Sequence, residues 1–508
     1  MKILDCTLRD GGYYTNWDFS SEIIAAYIAG MNKLPIDYLE VGYRNNPSDN
    51  YIGKMGYCPI SVLQKIKMLS TKKLAVMLNE KSIKPSDLDA LVKPLVGLVD
   101  MIRIAVDPLN FDRAVILTKA VKTYGFEVGF NVMYMSIWMS NHSFIDKLSQ
   151  INNVADLFCM VDSYGGITPN EVRKIISIVK NKITCPIGFH GHNNLQLGLI
   201  NTLTAIECGV NYVDATILGM GRGAGNLNME LLLTYLNKEG LEVDFNVLGD
   251  LITCFSPLYE KYHWGTQLPY MISGANSIPQ KDVMELVSNR VYSFETIVRG
   301  LQNRKDKVKD KSTYPLLHSE KYEDILIIGG GSSPLDHLEG IIEFIKLRKS
   351  IAIVFSTARH AGLFKNIDIP RFYCLLGQEA KRLKNNVSEK EFRGRCILPP
   401  YPRKLESDVP GYAEKCTYEL PGIEFTKEYQ DSCTTLAIQA AINLSMGHIY
   451  CVGYDGYSGN SLSEKEVSLS NENMLLFSEY ERFMGFKMTS LTPSLYPELE
   501  IKSIYQFI

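Results

Sequence analysis

Two histidines stand one residue apart in GFHGHNNLQLG, residues 188–198, of a chain that has eight histidines in all. Residues i and i+2 of a strand share a face, so His190 and His192 would project together, with Gly191 leaving room between them. Two imidazoles and one carboxylate make a set that holds a divalent cation and leaves coordination positions open. TLRDGG, residues 7–12, offers Asp10 as the carboxylate and Arg9 beside it as a cation. Nitrogen and oxygen donors without thiolate suit Mn²⁺, Mg²⁺ or Zn²⁺ on chemical grounds. A bare H-x-H is also what a solvated or core histidine pair looks like, so the elements that carry these residues must decide.

Those elements read as short apolar, β-branched runs separated by helix-length segments. The runs are ILDCT at 3–7, DYLEVGY at 37–43, KLAVMLN at 73–79, DMIRIAV at 100–106, EVGFNVMY at 127–134, DLFCMVDS at 156–163, PIGFHGH at 186–192 and YVDATILG at 212–219. Amphipathic segments lie between them, such as SEIIAAYIAGMNKL and PNEVRKIISIVKNK. The second opens on Pro169, which suits a first helical turn. Eight such units over roughly 220 residues predict a closed (β/α)₈ TIM barrel rather than a doubly wound open sheet.

Chemistry in such barrels sits at the carboxyl ends of the strands. Arg9 and Asp10 follow the first run, Glu40 lies in the second and Asn131 in the fifth. Asp162 and Ser163 close the sixth, His190 and His192 the seventh, and glycine-rich GMGRGAGNLN, 219–228, follows the eighth. Polar residues mark strand ends generally. That accounts for one or two of these, and poorly for an acid, an arginine and two histidines at one mouth. Strand one neighbours strand eight in a closed barrel, which brings Asp10 within reach of the histidines.

Composition excludes several classes. The 508 residues exceed one typical domain of about 100–200, so at least two domains are expected. A hydrophobic share of 46% supports a large core, and a net charge of −3 without like-charge blocks gives no sign of nucleic-acid binding. Eleven singly scattered cysteines read as reduced thiols of a cytoplasmic protein. The charged start MKILDCTLRD carries no signal-peptide core, and no run of about 18 apolar residues predicts a membrane span.

Taken together, DCTLRDGG at 5–12, YLEVGY at 38–43, VDSYGG at 161–166, HGHNN at 190–194 and GMGRGAGN at 219–226 resemble the DRE-TIM metallolyase superfamily. The resemblance is nearest to its 4-hydroxy-2-oxo-acid (4-hydroxy-2-oxovalerate) aldolase branch, over about residues 1–290. It implies an aldol-type carbon–carbon bond reaction through a pyruvate enolate on a divalent cation, Mn²⁺ or Mg²⁺. It implies Asp10, His190 and His192 as metal ligands, with His190 also against the substrate. Arg9 would steady the enolate oxygen, Ser163 would contact the substrate carboxylate, and Glu40 would orient the site. Asn226 matches a ligand of the lyase branch. WGTQLPYMISG, 264–274, resembles an aldolase segment whose tyrosine enters the active site, a position that Tyr270 takes. The chemistry fits independently: a cation polarises the keto oxygen of a 2-oxo acid, and a nearby guanidinium adds preorganised charge.

One departure stands out. Members of this branch follow R-D-G with a residue and then a histidine thought to act as base; here Gly12 and Tyr13 follow. Tyr13 is the expected replacement, with Tyr14, Tyr270 or a metal-bound water as alternatives. A phenol, with an ordinary pKa of about 10, needs perturbing to act near neutrality.

Beyond residue 290 the texture changes. NRKDKVKDKS at 303–312 is charged, and 303–322 reads as a linker. DILIIGGGSSPLDHLEGIIEF at 324–344 reads as strand, glycine turn and helix. SIAIVFS, RFYCLLG and HIYCVGYDG continue as apolar runs, the last fed by a long helical segment, SCTTLAIQAAINLSMG. The expected organisation is a barrel over 1–240, a helical extension over 241–302, the linker, and a Rossmann-like α/β domain over 323–508. GGGSS lacks the full G-x-G-x-x-G, so a tight βα turn explains it as well as an anion site does. With TTLAIQAAINLSMGHIYCVGYDGY it resembles, more weakly, motility-accessory-factor-type glycosyltransferase-like domains. That implies a nucleotide or sugar nucleotide at Gly329, Gly331, Ser332, Ser333 and Asp455.

The expected function is a metal-dependent aldolase or lyase acting on a 2-oxo acid such as pyruvate, with an aldehyde or sugar as partner, fused to a nucleotide-binding domain. A homodimer is compatible with it. An acyl-CoA-dependent Claisen-type synthase is the enzymatic alternative, and a non-catalytic barrel scaffold beside a working C-terminal domain is the other.

Overall fold

The computed structural model describes residues 1–288, 297–298, 300–301, 313–317, 320–403, 408–458 and 464–508. The charged stretch 303–312 of the expected linker lies outside them. The chain divides into two compact units, Met1–Glu285 and Leu286–Ile508.

The first unit is a closed barrel of eight parallel strands: β1 (Lys2–Asp5), β2 (Tyr38–Tyr43), β3 (Lys73–Asn79), β4 (Met101–Val106), β5 (Glu127–Val132), β6 (Leu157–Asp162), β7 (Ile187–Gly191) and β8 (Tyr212–Ala215). Closure is direct, because β1 pairs with β2 on one side and with β8 on the other, Leu4 lying opposite Asp214. Helices follow where the patterning places them. Ser21–Lys33 is capped by Ser20, whose hydroxyl accepts from the Ile23 amide. Pro169–Lys182 opens on a capping box between Thr168 and Glu171, satisfying two otherwise unpaired amides.

Strand alternation splits each strand between two cores. Leu39, Val41, Ile102, Ile104, Phe130 and Val213 face outward and pack against the helices in the main apolar cluster. Their neighbours face the barrel axis. One interior layer is apolar: Leu4, Cys6, Tyr38, Ala75, Met101, Leu157 and Tyr212. Two residues further along β2, β4 and β8 stand Glu40, Arg103 and Asp214, all buried.

β1 and β8, which meet where the barrel closes, end earlier than expected. β1 stops at Asp5 because its carboxylate accepts from the Thr7 amide at 2.8 Å and the Thr7 hydroxyl at 2.9 Å. The chain then coils into a helical turn, Thr7–Asp10. The Thr7 hydroxyl also accepts from the Ile217 amide at 2.9 Å, joining the exits of β1 and β8. β8 yields at its end to a 3₁₀ turn, Ile217–Gly219. Helices Phe245–Tyr262, Leu268–Ala275 and Gln280–Ser288 extend the barrel.

The second unit carries an eight-stranded parallel sheet in the order β13–β12–β11–β10–β9–β14–β15–β16. Its strands are β9 (Tyr322–Ile328), β10 (Ile351–Phe355), β11 (Arg371–Cys374), β12 (Arg395–Leu398), β13 (Thr417–Glu419), β14 (Ser445–Val452), β15 (Thr489–Ser490) and β16 (Glu500–Ile501). The order reverses between β9 and β14, a doubly wound arrangement. All eleven cysteines are free. Among the described residues no helix is long and apolar enough to cross a membrane.

Candidate active site

The helical turn after β1 and the end of β7 bring Asp10, His190 and His192 together, with donor atoms within 4.8 Å of one another. Hydrogen-bond partners assign the imidazole tautomers. His190 Nδ1 lies 2.9 Å from Asp214 Oδ2, and His192 Nδ1 donates to the Asp162 carbonyl at 2.8 Å. Each Nε2 is then left with its lone pair. His190 Nε2 stands 3.5 Å from Asp10 Oδ2. Burial, reinforced by His190, pushes His192 down to about 3, so it is the neutral imidazole that a cation requires. Burial alone would raise Asp10; the Arg9 guanidinium and both imidazoles outweigh it and hold the carboxylate below its ordinary range.

Asn226 stands against this group. Its amide donates to Asp10 Oδ2 at 2.7 Å, and its own Oδ1 is buried without a partner. Such an orphaned oxygen beside a carboxylate and two neutral imidazoles fits a divalent cation. Cys6, His190 and Asp214 form a second grouping on the Nδ1 side of His190. Burial holds the Cys6 thiol well above its ordinary pKa, and its Sγ lies 3.7 Å from the Ala215 carbonyl.

Beneath the donors lies a ring of alternating charge. Arg9 pairs with Asp10 and, through Nε, with Glu40 Oε2 at 2.7 Å. Glu40 Oε2 also receives Arg103 Nη1 at 3.3 Å. Arg103 Nη2 reaches Asp214 Oδ2 at 2.6 Å, and Asp214 returns to His190. Arg103 further donates to Asn131 at 3.2 Å and to Cys159 Sγ at 3.4 Å. Burial would depress Asp214's partner Arg103, but the Asp214 and Glu40 carboxylates outweigh it and raise its pKa. Asp214 itself, raised by burial and lowered more by Arg103 and His190, falls to about 2. The sequence reading overlooked Arg103 and Asp214. Their signal was present: each is a charge flanked by apolar residues in a barrel strand, at an inward position.

Above the donors is a cavity of about 300 Å³ lined by Arg9, Asp10, Tyr13, Tyr43, Tyr134, Ser163, His190, His192 and Arg222 among others. The Ser163 hydroxyl accepts from the Tyr134 amide at 2.9 Å, and Tyr134 adopts a left-handed φ of 61°. Glu40 does not line the cavity; it acts on the site through Arg9. Tyr13 does line it, its hydroxyl 3.0 Å from that of Tyr43. Tyr14 and Tyr270 do not. The Tyr14 hydroxyl donates to the Gly223 carbonyl at 3.1 Å, and burial pushes its pKa up. Burial likewise pushes Tyr270 up to about 12. Gln280 closes one side: its amide donates to the Ser163 carbonyl at 3.2 Å and to Asn194 at 2.9 Å. Gly223, at φ 62°, lies so close that a Cβ there would sit 2.3 Å from Gln280 Oε1.

In the second unit a cavity of about 720 Å³ opens at the carboxyl ends of β9 and β14, lined by Gly331, Ser332, Arg359, Arg382, Asp455 and Asn473 among others. Gly329 and Ser333 lie behind its wall. The Asp455 carboxylate occupies the glycine turn, accepting from the Ser333 amide at 2.9 Å and from the Ser333 hydroxyl. The Gly331 amide bonds the Gly453 carbonyl at 2.8 Å. A Cβ on Gly331 would meet Asp455 Oδ2 at 2.4 Å, which is why the turn needs glycine. These turn amides therefore already have partners.

The HMGL-like family model matches residues 100–252. A 4-hydroxy-2-oxovalerate aldolase from Carboxydothermus hydrogenoformans is 34% identical over 251 residues, covering 48% of this chain and 72% of the relative. One from Pelotomaculum thermopropionicum is 30% identical over 275 residues, covering 51% and 78%. The crystal structure of the N-terminal domain of a candidate aldolase from Bacteroides vulgatus is 66% identical, with a TM-score of 0.57, covering 59% of this chain and 99% of that one.

Proposed function

The chain belongs to the HMGL-like aldolases, and from that premise we propose that its barrel makes or breaks a carbon–carbon bond of a 2-oxo acid at Asp10, His190 and His192. One observation carries the reading: three convergent donors, with the unpartnered Asn226 oxygen, sit beside a buried arginine on the floor of a cavity. A divalent cation held by these residues, Mn²⁺ or Mg²⁺, would supply Lewis acidity toward the keto oxygen.

The chain's own residues do the rest. Arg9 presents preorganised positive charge where negative charge develops on the enolate oxygen of a pyruvate-type substrate. Asp10 and Glu40 hold its guanidinium in place before substrate arrives. Ser163, whose oxygen is oriented by the Tyr134 amide, turns its hydroxyl proton toward the substrate carboxylate. Tyr13 is the candidate to move a proton, because it lines the cavity where Tyr14 and Tyr270 do not, and the Tyr43 hydroxyl gives it a relay partner. Gln280 and the tyrosines Tyr13, Tyr43, Tyr134 and Tyr164 wall the space around the reacting carbon. A volume of about 300 Å³ lies at the small end of ligand sites. It favours two small molecules over an acyl-CoA.

The test is exchange of pyruvate methyl protons with D₂O, read by NMR on the full chain loaded with Mn²⁺ or Mg²⁺. Catalysed exchange without acyl-CoA supports the aldolase reading; free CoA release from acetyl-CoA would favour a Claisen synthase. Neither activity would favour a scaffold.

For the second unit we read a nucleotide or sugar-nucleotide site. The support is the cavity at the reversal of strand order, where ligands of open parallel sheets bind. Since Asp455 fills the glycine turn, an anionic group would be met by Arg359 or Arg382 instead. Thermal shift of the full chain with CMP, UDP and ADP tests this; no shift with any of them counts against it.

A further inference from the structure

The cations of the barrel mouth are not equivalent: Arg9 and Arg103 are buried, whereas Arg222 is half-buried. Arg9 is engaged by Asp10 and Glu40, and Arg103 by Glu40 and Asp214. Arg222, from the glycine-rich loop after β8, lines the same cavity as Arg9, Asp10 and the histidines. Its guanidinium lies 3.7 Å from the centre of the Tyr13 ring. Among the described residues no carboxylate lies within ion-pair distance of it and no hydrogen bond satisfies its N–H groups. Stacking on a phenol covers one face of the guanidinium and leaves its N–H edge unpaired. A planar, partly desolvated guanidinium of this kind is suited to bidentate capture of a carboxylate or phosphate.

On the aldolase reading, the 2-oxo acid's own groups find partners among the other residues that line the cavity. Its keto oxygen falls to Arg9 and the donor set, and its carboxylate to Ser163. A second anion would have to arrive with the other reactant. We propose that Arg222 reads a negative charge on the carbonyl acceptor, so that the acceptor is an aldehyde bearing a carboxylate or a phosphate. The inference rests on the aldolase reading above. In the addition direction the methyl carbon of the 2-oxo acid loses a proton and forms a bond to the aldehyde carbon. The carbonyl π pair moves to the aldehyde oxygen, which takes up a proton. Cleavage is the reverse, and Arg222 would hold the departing aldehyde's anionic end in either direction.

The experiment uses the full-length, Mn²⁺-loaded chain with pyruvate and paired acceptors: succinic semialdehyde against butanal for carboxylate, and glyceraldehyde 3-phosphate against glyceraldehyde for phosphate. The readout is the ratio of kcat/KM, charged over neutral, in which any effect on pyruvate cancels. Wild type should prefer at least one charged acceptor by about tenfold to a hundredfold, as expected for a charge-assisted hydrogen-bonded pair. The better arm identifies the anion. In Arg222→Met that ratio should fall close to one, and Arg222→Lys should keep part of it, with circular dichroism checking that both fold. A wild-type ratio of one or less, or an equal loss for both acceptors in Arg222→Met, would overturn the assignment. Pyruvate proton exchange separates the two levels. Its presence with no charge preference refutes Arg222 alone, whereas its absence together with no condensation refutes the aldolase reading as well.

Discussion

Asp214→Asn tests whether the interior charges position the proposed metal ligands or merely fill the barrel. In the wild type one oxygen, Asp214 Oδ2, accepts from His190 Nδ1 at 2.9 Å and from Arg103 at 2.6 Å. The substitution keeps shape and an acceptor oxygen but removes the charge that fixes the tautomer and orientation of His190. Partners behind a ligating histidine typically contribute 10–100-fold to metal affinity. At about 1.4 kcal/mol per tenfold this is about 1.4–2.8 kcal/mol of binding. A separate loss falls on stability. Removing one member of a buried ion pair costs about 3–5 kcal/mol. Arg103 retains Glu40 at 3.3 Å and Asn131 at 3.2 Å, so the lower figure applies. At roughly 2–4 °C per kcal/mol for a unit of this size, the barrel's Tm should fall by about 6–12 °C. Calorimetric titration with Mn²⁺ well below the lowered Tm separates the two effects. A metal Kd within twofold of wild type, whatever the Tm, would refute the claim that Asp214 positions His190.

The other expected outcomes follow from the same geometry. His192→Ala should abolish stoichiometric metal binding, and equal occupancy by metal analysis in variant and wild type would remove His192 from the donor set. Arg9→Ala should lower turnover by about 10²–10³ with metal content retained; because Glu40 keeps Arg103, circular dichroism should show a folded barrel, and a kcat close to wild type would exclude Arg9 from charge stabilisation. Tyr13→Phe should slow single-turnover proton exchange by about 10²–10⁴, while Tyr270→Phe stays within a few-fold; the reverse order would reassign the base. Asp5→Asn tests linkage. Burial pushes the Asp5 carboxyl up to about 7, against hydrogen bonds from Tyr27 and Thr7. The native state thus keeps a proton that the unfolded chain loses near its ordinary value of about 4, and this contribution to stability declines as pH rises from about 4 to 7, by up to about 4 kcal/mol. Asp5→Asn should flatten that part of the profile, and urea midpoints at pH 5 and pH 8 that shift alike in both proteins would refute it.

What the sequence disclosed, and what it did not, divides along physical lines. Strand-length apolar runs are set by burial on both faces of a parallel sheet, a local property, and all eight barrel strands could be read from them. Strand ends were less legible. β1 is stopped by side-chain hydrogen bonds from Thr7 to Asp5, which a β-branched run conceals. The clustering of Asp10, His190 and His192 could be anticipated because polar residues at strand exits stand out against apolar runs. Arg103 and Asp214 lie inside such runs, and only the period-two alternation separates their inward positions from the outward Ile102, Ile104 and Val213. The resemblance implies that Tyr270 enters the site, yet it does not line the cavity, since whether a residue from outside the barrel reaches it depends on tertiary packing.

The glycine turn of the second unit shows the same limit from the other side. GGGSS reads as a turn that favours an anion, but the Ser333 amide donates to the Asp455 carboxylate, 122 residues further along the chain, and the Gly331 amide to the Gly453 carbonyl. A carboxylate at a short helix start is stabilised for the reason a phosphate would be: unpaired amides and positive partial charge favour any anion. A protein can therefore use one local motif either to bind an external anion or to bind its own. Which it does depends on whether a side chain from another strand exit arrives first. Here β14 lies beside β9, so the residues after Val452 necessarily meet those after Ile328. The reversal of strand order that opens the cavity is thus also what delivers Asp455 into the turn, and it leaves Arg359 and Arg382 as the cations on the cavity wall.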